Sequence, residues 1–131
     1  MSNMYNLKNT EPIDKESALE RIGGDEAFLL ELLDIYVEDF LEKYKSLQQA
    51  IAAYDFKNIQ EIGHSLKGAS GNLSLNGLHE TSYSIELSGK DKNIDQAKSL
   101  FVRLREEFTH LKDFLPPEKR ADIEQKLSRM K

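Results

Sequence analysis

The hydrophobic positions of this chain recur every three or four residues, which is the period of amphipathic α-helices. The clearest stripe lies near the C-terminal end and comprises Ile94, Ala97, Phe101, Leu104, Phe108, Leu111 and Leu115. A second stripe predicts a long helix that ends near residue 52 and comprises Leu29, Leu32, Leu33, Tyr36, Phe40, Leu47 and Ile51. No segment alternates with the period of a β-strand, so the pattern predicts an all-α fold.

Polar capping residues, glycines and prolines predict where these helices begin and end. The expected N-caps are Asp14, Asp25, Asp55 and Asn76. The expected stops are Gly23-Gly24, Gly89 and Pro116-Pro117. The short connections between helices favour antiparallel neighbours, and we therefore predict an up-down four-helix bundle preceded by a short N-terminal helix.

Three segments follow from this pattern. Residues 1–12 lack periodicity and are expected to be loose, whereas residues 13–115 form the bundle. Residues 116–131 form a C-terminal extension, in which Ile123, Leu127 and Met130 predict a short amphipathic helix packed on the end of the bundle. Three further apolar residues lie off the stripe of the long helix and belong either to a wide core face or to an exposed docking patch: Leu30, Val37 and Leu41.

Composition narrows the classes of protein that the chain can belong to. Its 131 residues suit one compact domain, and its lack of cysteine excludes disulfides and thiolate chemistry. A mean hydropathy of -0.58 excludes a membrane span, and the absence of a signal segment predicts a cytoplasmic protein. The net charge of -5 argues against nucleic acid as the main partner.

One histidine stands out when residues 59–73 are placed on a helix. The apolar arc, about 80° wide at 100° per residue, contains Ile59, Ile62, Leu66, Ala69 and Leu73. His64 points about 180° away from the middle of that arc, with Lys67, Gly68 and Gly71 on its side. Each glycine destabilises a helix interior by about 1 kcal/mol relative to alanine. Two glycines beside an exposed imidazole therefore indicate that the space around its nitrogens has to stay open. The pattern suits a histidine that a large partner must reach and load with an anion.

Residues 64–70, with the sequence HSLKGAS, resemble the H-x-L-K-G-x-S signature of histidine-containing phosphotransfer (HPt) domains. The resemblance extends over residues 13–115, including the entry into the second helix at residues 19–29 and the approach to the third at residues 47–55. The chain departs from the family pattern at Gly63, where the family often has alanine, and at Ser74, where it often has glycine.

The resemblance implies a phosphorelay function. It assigns His64 as the nucleophile that accepts a phosphoryl group from a receiver-domain aspartyl-phosphate and passes it to another receiver. It assigns Lys67 as the charge partner of the phosphoryl oxygens and Gly68 as the gap for the approaching partner. Glu86 matches the family's position for the group that holds the other ring nitrogen.

The same resemblance sets expectations for cofactors and partners. The chain should carry no cofactor of its own, because the receiver supplies Mg²⁺, and it should lack ATP-dependent kinase activity. Its expected partners are response-regulator receiver domains and a hybrid sensor histidine kinase, with no nucleic acid and no membrane. The protein is expected to be a monomer.

Three alternatives stay open at this point. A metal-binding bundle could use the pairs Glu61/His64 and Glu107/His110, which have the spacing of di-iron proteins. Both pairs lie off the apolar arcs of their helices, which argues against a shared site in the core. A histidine kinase fragment fits less well, because Ser65 follows His64 and the helix contains no proline. A passive adaptor could keep the shape without the activity. We expect His79 and His110 to lie on the surface. Ser65 and Ser70 lie beside His64 along the chain and are the alternative modification sites that an experiment must exclude.

Overall fold

The computed structural model describes residues 12–130, which form six helices and contain no strand. The helices are α1 (Lys15–Arg21), α2 (Glu26–Ala52), α3 (Phe56–Asn72), α4 (Asn76–Lys90), α5 (Ile94–Lys112) and α6 (Pro117–Ser128). The predicted all-α fold is confirmed. The segment expected to be loose lies, apart from Pro12, outside the described residues.

Helices α2 to α5 form a bundle in which α2 contacts both α3 and α5. Each consecutive pair of these helices is joined by only three residues: 53–55, 73–75 and 91–93. Aromatic rings fill the middle of the core, where Phe40 stacks on Phe108 with ring centroids 3.9 Å apart and Tyr44 stacks on Phe101 at 4.4 Å. This packing buries most of the two stripes that the sequence predicts, and their members Leu32, Ile94 and Phe101 are partly buried at its edge.

The three connections share one backbone arrangement. Tyr54, Ser74 and Lys92 adopt left-handed φ angles of 55°, 56° and 55°, which usually favour glycine. In each turn the next residue donates its N–H back to a carbonyl in the last turn of the helix: Asp55 to Ala50, Leu75 to Ser70, and Asn93 to Ser88. That same residue is the N-cap of the following helix, so the chain reverses at once and neighbouring helices run antiparallel.

Some predicted boundaries are confirmed and others are wrong. Asp14, Asp25 and Asp55 each accept a hydrogen bond from an N–H in the first turn of their helix. Asn76 is not a cap, because it is the first residue of α4 and Leu75 precedes it without a side-chain hydrogen bond. The predicted stop at Gly89 is correct to within one residue, because α4 ends at Lys90, and Gly89 itself lies in the last turn, where its lack of a side chain serves packing.

The prolines also act differently from the prediction. Helix α5 already ends at Lys112, and Pro116 is the N-cap of α6, with Pro117 as its first residue. Proline suits the first helical position because its fixed φ is helical and its missing N–H has no partner there. The two prolines therefore start α6 rather than end α5.

The predicted C-terminal helix exists, and it contacts both α5 and α2. Its apolar residues Ile123 and Leu127 are buried, and Lys126 donates to Glu38 of α2 over 2.9 Å. Val37 and Leu41 of α2 are buried as well, so they belong to a wide core face. Leu30, the third residue off the α2 stripe, is 47% exposed.

Candidate functional site

His64 lies in the middle of α3, and its side chain is 69% exposed. On the opposite side of the helix, Ile59 and Leu66 are completely buried in the core. The predicted outward orientation of the imidazole is therefore confirmed. A ring in this position is accessible to another macromolecule without any unfolding of the bundle.

Glu86 of α4 contacts one nitrogen of this ring. The Nδ1 atom of His64 lies 3.0 Å from the Oε2 atom of Glu86. A carboxylate only accepts hydrogen bonds, so Nδ1 carries the proton of the neutral ring. The lone pair is then on Nε2, and the predicted contact between Glu86 and the ring is present in the structure.

Lys67 shares the same carboxylate. Its Nζ atom lies 2.8 Å from Oε1 of Glu86 and 5.1 Å from the centre of the Tyr83 ring. The Lys67 ammonium, more than His64, holds the pKa of the Glu86 carboxyl below its usual value, against a smaller opposing effect of burial. Glu86 is therefore charged at neutral pH and bridges the histidine and the lysine.

Two glycines bring the backbones of α3 and α4 into direct contact. A Cβ atom on Gly63 would lie 2.5 Å from the backbone nitrogen of Glu86, and one on Gly89 would lie 2.5 Å from that of Gln60. Distances this short leave no room for a side chain. A glycine directly before the histidine, together with a glycine in the next helix, is the sequence signal for this close approach.

The two glycines on the outer side of α3 differ from each other. A Cβ atom on Gly68 would have no neighbour within 4 Å, which agrees with its predicted role as open space. A Cβ atom on Gly71 would lie 3.0 Å from Nδ1 of His79. The prediction that both glycines clear space beside His64 is therefore wrong for Gly71, which makes room for another side chain of α4.

His79 is a partly buried inter-helix contact and not the surface residue that we predicted. Its Nδ1 atom donates to the backbone carbonyl of Lys67 over 2.9 Å. Because the carbonyl can only accept, Nδ1 of His79 carries a proton. His110 is exposed, as predicted.

Only one of the two serines considered as competing sites is accessible. Ser70 is completely buried and its hydroxyl lies 2.8 Å from that of Tyr36. Burial raises the pKa of the Tyr36 phenol above its usual value, so the phenol stays protonated within the core. Ser65 is exposed next to His64, and it is the serine that an experiment must exclude.

Residues 12–130 contain no group of three acidic, histidine or cysteine side chains that could hold a metal ion. Glu107, one of the residues in the metal alternative, instead accepts a hydrogen bond from the Thr81 hydroxyl of α4. Burial, the largest effect, raises the pKa of Glu107 above its usual value. No helix in this part of the chain has the length and apolar content required to cross a membrane.

An open groove of about 550 Å³ lies between α1, α2 and α3. Its lining is mostly apolar and comprises Ile22, Leu32, Ile35, Tyr36, Ala69 and Leu73, with Arg21, Asp39 and Asn72 as polar members. Ile35 is 66% exposed, the highest value among the large hydrophobic residues described. The groove thus lies on the α2 side of the helix that carries His64.

Comparisons with known proteins agree with this geometry. A family model described as the Hpt domain matches residues 31–114, which is more than half of the chain. The phosphorelay intermediate protein rdeA of Dictyostelium discoideum is 28% identical over 109 residues, and the match covers 80% of this chain and 43% of that protein. The chain therefore spans less than half the length of this relative. No solved structure matches the chain at a significant level.

Proposed function

The chain belongs to the Hpt domain family, and on that basis we propose that it is a histidine phosphotransfer protein of a phosphorelay, with His64 as its phospho-accepting residue. The observation that carries the proposal is the exposed His64 imidazole whose Nδ1 is held by Glu86 at 3.0 Å. The family match and the similarity to a named phosphorelay intermediate support the same function.

In the proposed reaction, the Nε2 lone pair of His64 attacks the phosphorus of a receiver's aspartyl-phosphate. The bond between phosphorus and the aspartyl oxygen breaks, and its electron pair returns to the aspartate carboxylate. The imidazole keeps its proton on Nδ1 and becomes positively charged. The Glu86 carboxylate, 3.0 Å from Nδ1, stabilises that charge where it develops.

Transfer to the next receiver is the reverse of this step. The bond between Nε2 and phosphorus breaks, and its electron pair stays on Nε2. The imidazole is left neutral with its proton still on Nδ1, which is the starting tautomer. No proton has to enter or leave the ring in a complete cycle, so a fixed Glu86 suffices in both directions.

Lys67 and Gly68 complete the proposed site. The Lys67 ammonium would neutralise the negative charge on the oxygens of the phosphoryl group bonded to Nε2. Phosphoryl transfer depends mainly on positioning and charge neutralisation, and little on covalent chemistry by the protein. Gly68, one turn after His64, leaves the surface open where the receiver approaches. In this proposal Mg²⁺ comes with the receiver and the chain itself binds no cofactor.

The groove beside α3 is a suitable surface for the receiver. It is apolar, open, and adjacent to the helix that carries His64. We infer that receiver domains dock there, that a hybrid sensor histidine kinase supplies the phosphoryl group, and that the protein acts as a cytoplasmic monomer.

A transfer assay with the His64→Gln variant tests the proposal. Glutamine keeps a polar side chain on the outer face but has no nucleophilic nitrogen, so the variant should fold normally and accept no label from a phosphorylated receiver. The label on the wild type should be acid-labile and base-stable, as expected of a phosphoramidate. Ser65→Ala is the matched control and should be labelled like the wild type.

Two results would reject the proposal. Label that persists in His64→Gln, or that survives acid, would move the site to a serine such as Ser65. A wild-type protein that accepts no label from any receiver of its source organism would support the passive adaptor instead.

A further inference from the structure

Tyr83 contacts Lys67 from α4, although the proposed reaction assigns it no role. The residue is 48% exposed, and the Lys67 ammonium lies 5.1 Å from the centre of its ring. This distance is within the range of cation–π attraction, about 6 Å. Tyr83 lies three residues before Glu86, so both side chains leave α4 on the side that faces Lys67.

Lys67 is more confined than a lysine on the outer side of a helix usually is. Its side chain is only 26% exposed, because Glu86 and the Tyr83 ring both contact its ammonium group. A free lysine has a flexible four-carbon stem and would spread its charge over many positions around His64. The two contacts therefore concentrate the positive charge on one side of the imidazole.

The two partners of Lys67 differ in how they act once a phosphoryl group arrives. Glu86 carries a negative charge and competes with the phosphoryl oxygens for the ammonium. It also contacts Nδ1 and not Nε2, the nitrogen that would carry the phosphoryl group, and in our proposal Lys67 shifts from Oε1 toward the phosphoryl oxygens. The Tyr83 ring has no net charge and attracts the cation without competing in this way.

We propose that Tyr83 is a positioning residue that keeps the Lys67 ammonium beside His64 while Lys67 changes partner from Glu86 to the phosphoryl group. The inference rests on the proposed function of His64, and Tyr83 acts through Lys67 rather than on the reacting atoms. This proposal predicts that the aromatic ring of Tyr83 is required for full phosphoryl transfer and that its hydroxyl is not.

The contact itself can be tested in the unphosphorylated protein, independently of any transfer. In NMR spectra, the Tyr83 ring should shift the Cε methylene protons of Lys67 upfield, and Tyr83→Leu should abolish this shift while Tyr83→Phe retains it. Tyr54→Leu is the matched control, because Tyr54 is also exposed and has the Lys98 ammonium 5.8 Å from its ring centre. It should leave the Lys67 signals unchanged.

The role in transfer is tested by a double-mutant cycle with Lys67→Ala. Tyr83→Leu should slow phosphoryl transfer about two- to fivefold, which corresponds to the free energy of an exposed cation–π contact. Tyr83→Phe and Tyr54→Leu should transfer at the wild-type rate. In the Lys67→Ala background, Tyr83→Leu should have no further effect.

An equal loss in both backgrounds would overturn the proposal, because Tyr83 would then contact the receiver directly. A missing ring-current shift at Lys67 would overturn it as well. Failure of the proposed function would look different, since label would persist in His64→Gln whatever residue 83 is.

Discussion

The two sides of α3 are built in opposite ways. Toward α4, Gly63 and Gly89 let the two helix backbones touch, and polar side chains of α4 make defined contacts with His64 and Lys67. Toward α1 and α2, a groove of about 550 Å³ stays open and Ile35 is left largely exposed. One side of the helix is closed and polar, whereas the other is open and apolar.

Under the proposed function, the closed side carries out the chemistry and the open side recognises the receiver. A nucleophile and its charge partners need fixed positions, because electrostatic stabilisation is strongest when the groups are already in place. A surface that binds several partners can use apolar area without fixed hydrogen bonds, because such a surface accommodates different side chains of the partner. Changes on the closed side should therefore alter the chemical step, and changes on the open side should alter affinity.

The largest effect on stability is expected from Gly63→Ala. The new methyl group would lie 2.5 Å from the backbone nitrogen of Glu86, which cannot move aside as a flexible side chain can. We expect the free energy of unfolding to fall by about 1–3 kcal/mol, the usual cost of overpacking. Transfer should slow as well, because α4 carries Glu86 away from His64. Urea unfolding and a transfer assay measure the two effects.

Gly68→Ala is the matched control on the same helix. Its methyl group meets nothing within 4 Å, so stability should stay equal or rise by up to about 1 kcal/mol, since alanine is the better helix former. Transfer should nonetheless fall, because the methyl group occupies the receiver's approach to His64. A wild-type transfer rate in this variant would contradict the role of Gly68 as open space.

Lys67→Ala should slow transfer by less than about 100-fold and shorten the lifetime of the phosphohistidine, because one electrostatic donor is lost at an exposed site. A complete loss of activity would mean that Lys67 has a further role. Rapid-quench transfer assays and the decay of the labelled protein provide the measurements.

The same variant changes the pH dependence of stability. In the wild type the pKa of Glu86 is lowered in the folded state, so its contacts stabilise the fold above the unfolded pKa of glutamate and are lost as pH falls through the lowered value. Without Lys67 the pKa of Glu86 should rise toward its usual value, and acidification should cost Lys67→Ala less stability. NMR titration of the Glu86 carboxyl carbon measures the shift.

On the open side, Ile35→Ser should leave stability within about 0.5 kcal/mol of the wild type, because the side chain is 66% exposed. Receiver binding should weaken by about 1 kcal/mol, or about fivefold, with little change in the rate at saturating receiver. Val102→Ser removes a comparably exposed residue of α5 and should leave receiver binding unchanged. Equal affinities for the two variants would exclude the groove as the docking surface.

The smallest effect is expected from Glu107→Gln. Glutamine can still accept the hydrogen bond from the Thr81 hydroxyl. It also removes the Glu107 carboxyl, whose pKa is raised by burial. Because the pKa of Glu107 is higher in the folded state, the ionised carboxylate lowers the free energy of unfolding at pH values above that pKa. The loss of stability is relieved as the pH falls and the carboxyl becomes protonated. The variant should therefore gain roughly 0.5 kcal/mol at neutral pH, and the gain should disappear in acid. Urea unfolding at several pH values measures it.

Local patterns were enough to predict most of the fold. The three-and-four spacing of apolar residues identified the long helices, and Asp14, Asp25 and Asp55 marked helix starts because a cap is a local hydrogen bond. The turns after α2, α3 and α4 lack the usual glycine signal, because Tyr54, Ser74 and Lys92 occupy the left-handed positions where glycine is expected. The tight turn forces these residues into left-handed geometry.

For the candidate site, the sequence by itself determined the outward direction of His64 and the residues nearest to it along α3. Helical periodicity sets each side chain's direction about its own helix axis, and this information is local. Only the tertiary structure decided that Gly63 contacts the Glu86 backbone, that His79 bonds to the Lys67 carbonyl and that Ser70 is buried against Tyr36. The distance between two helices depends on the side chains of both, and so no single stripe of sequence contains it.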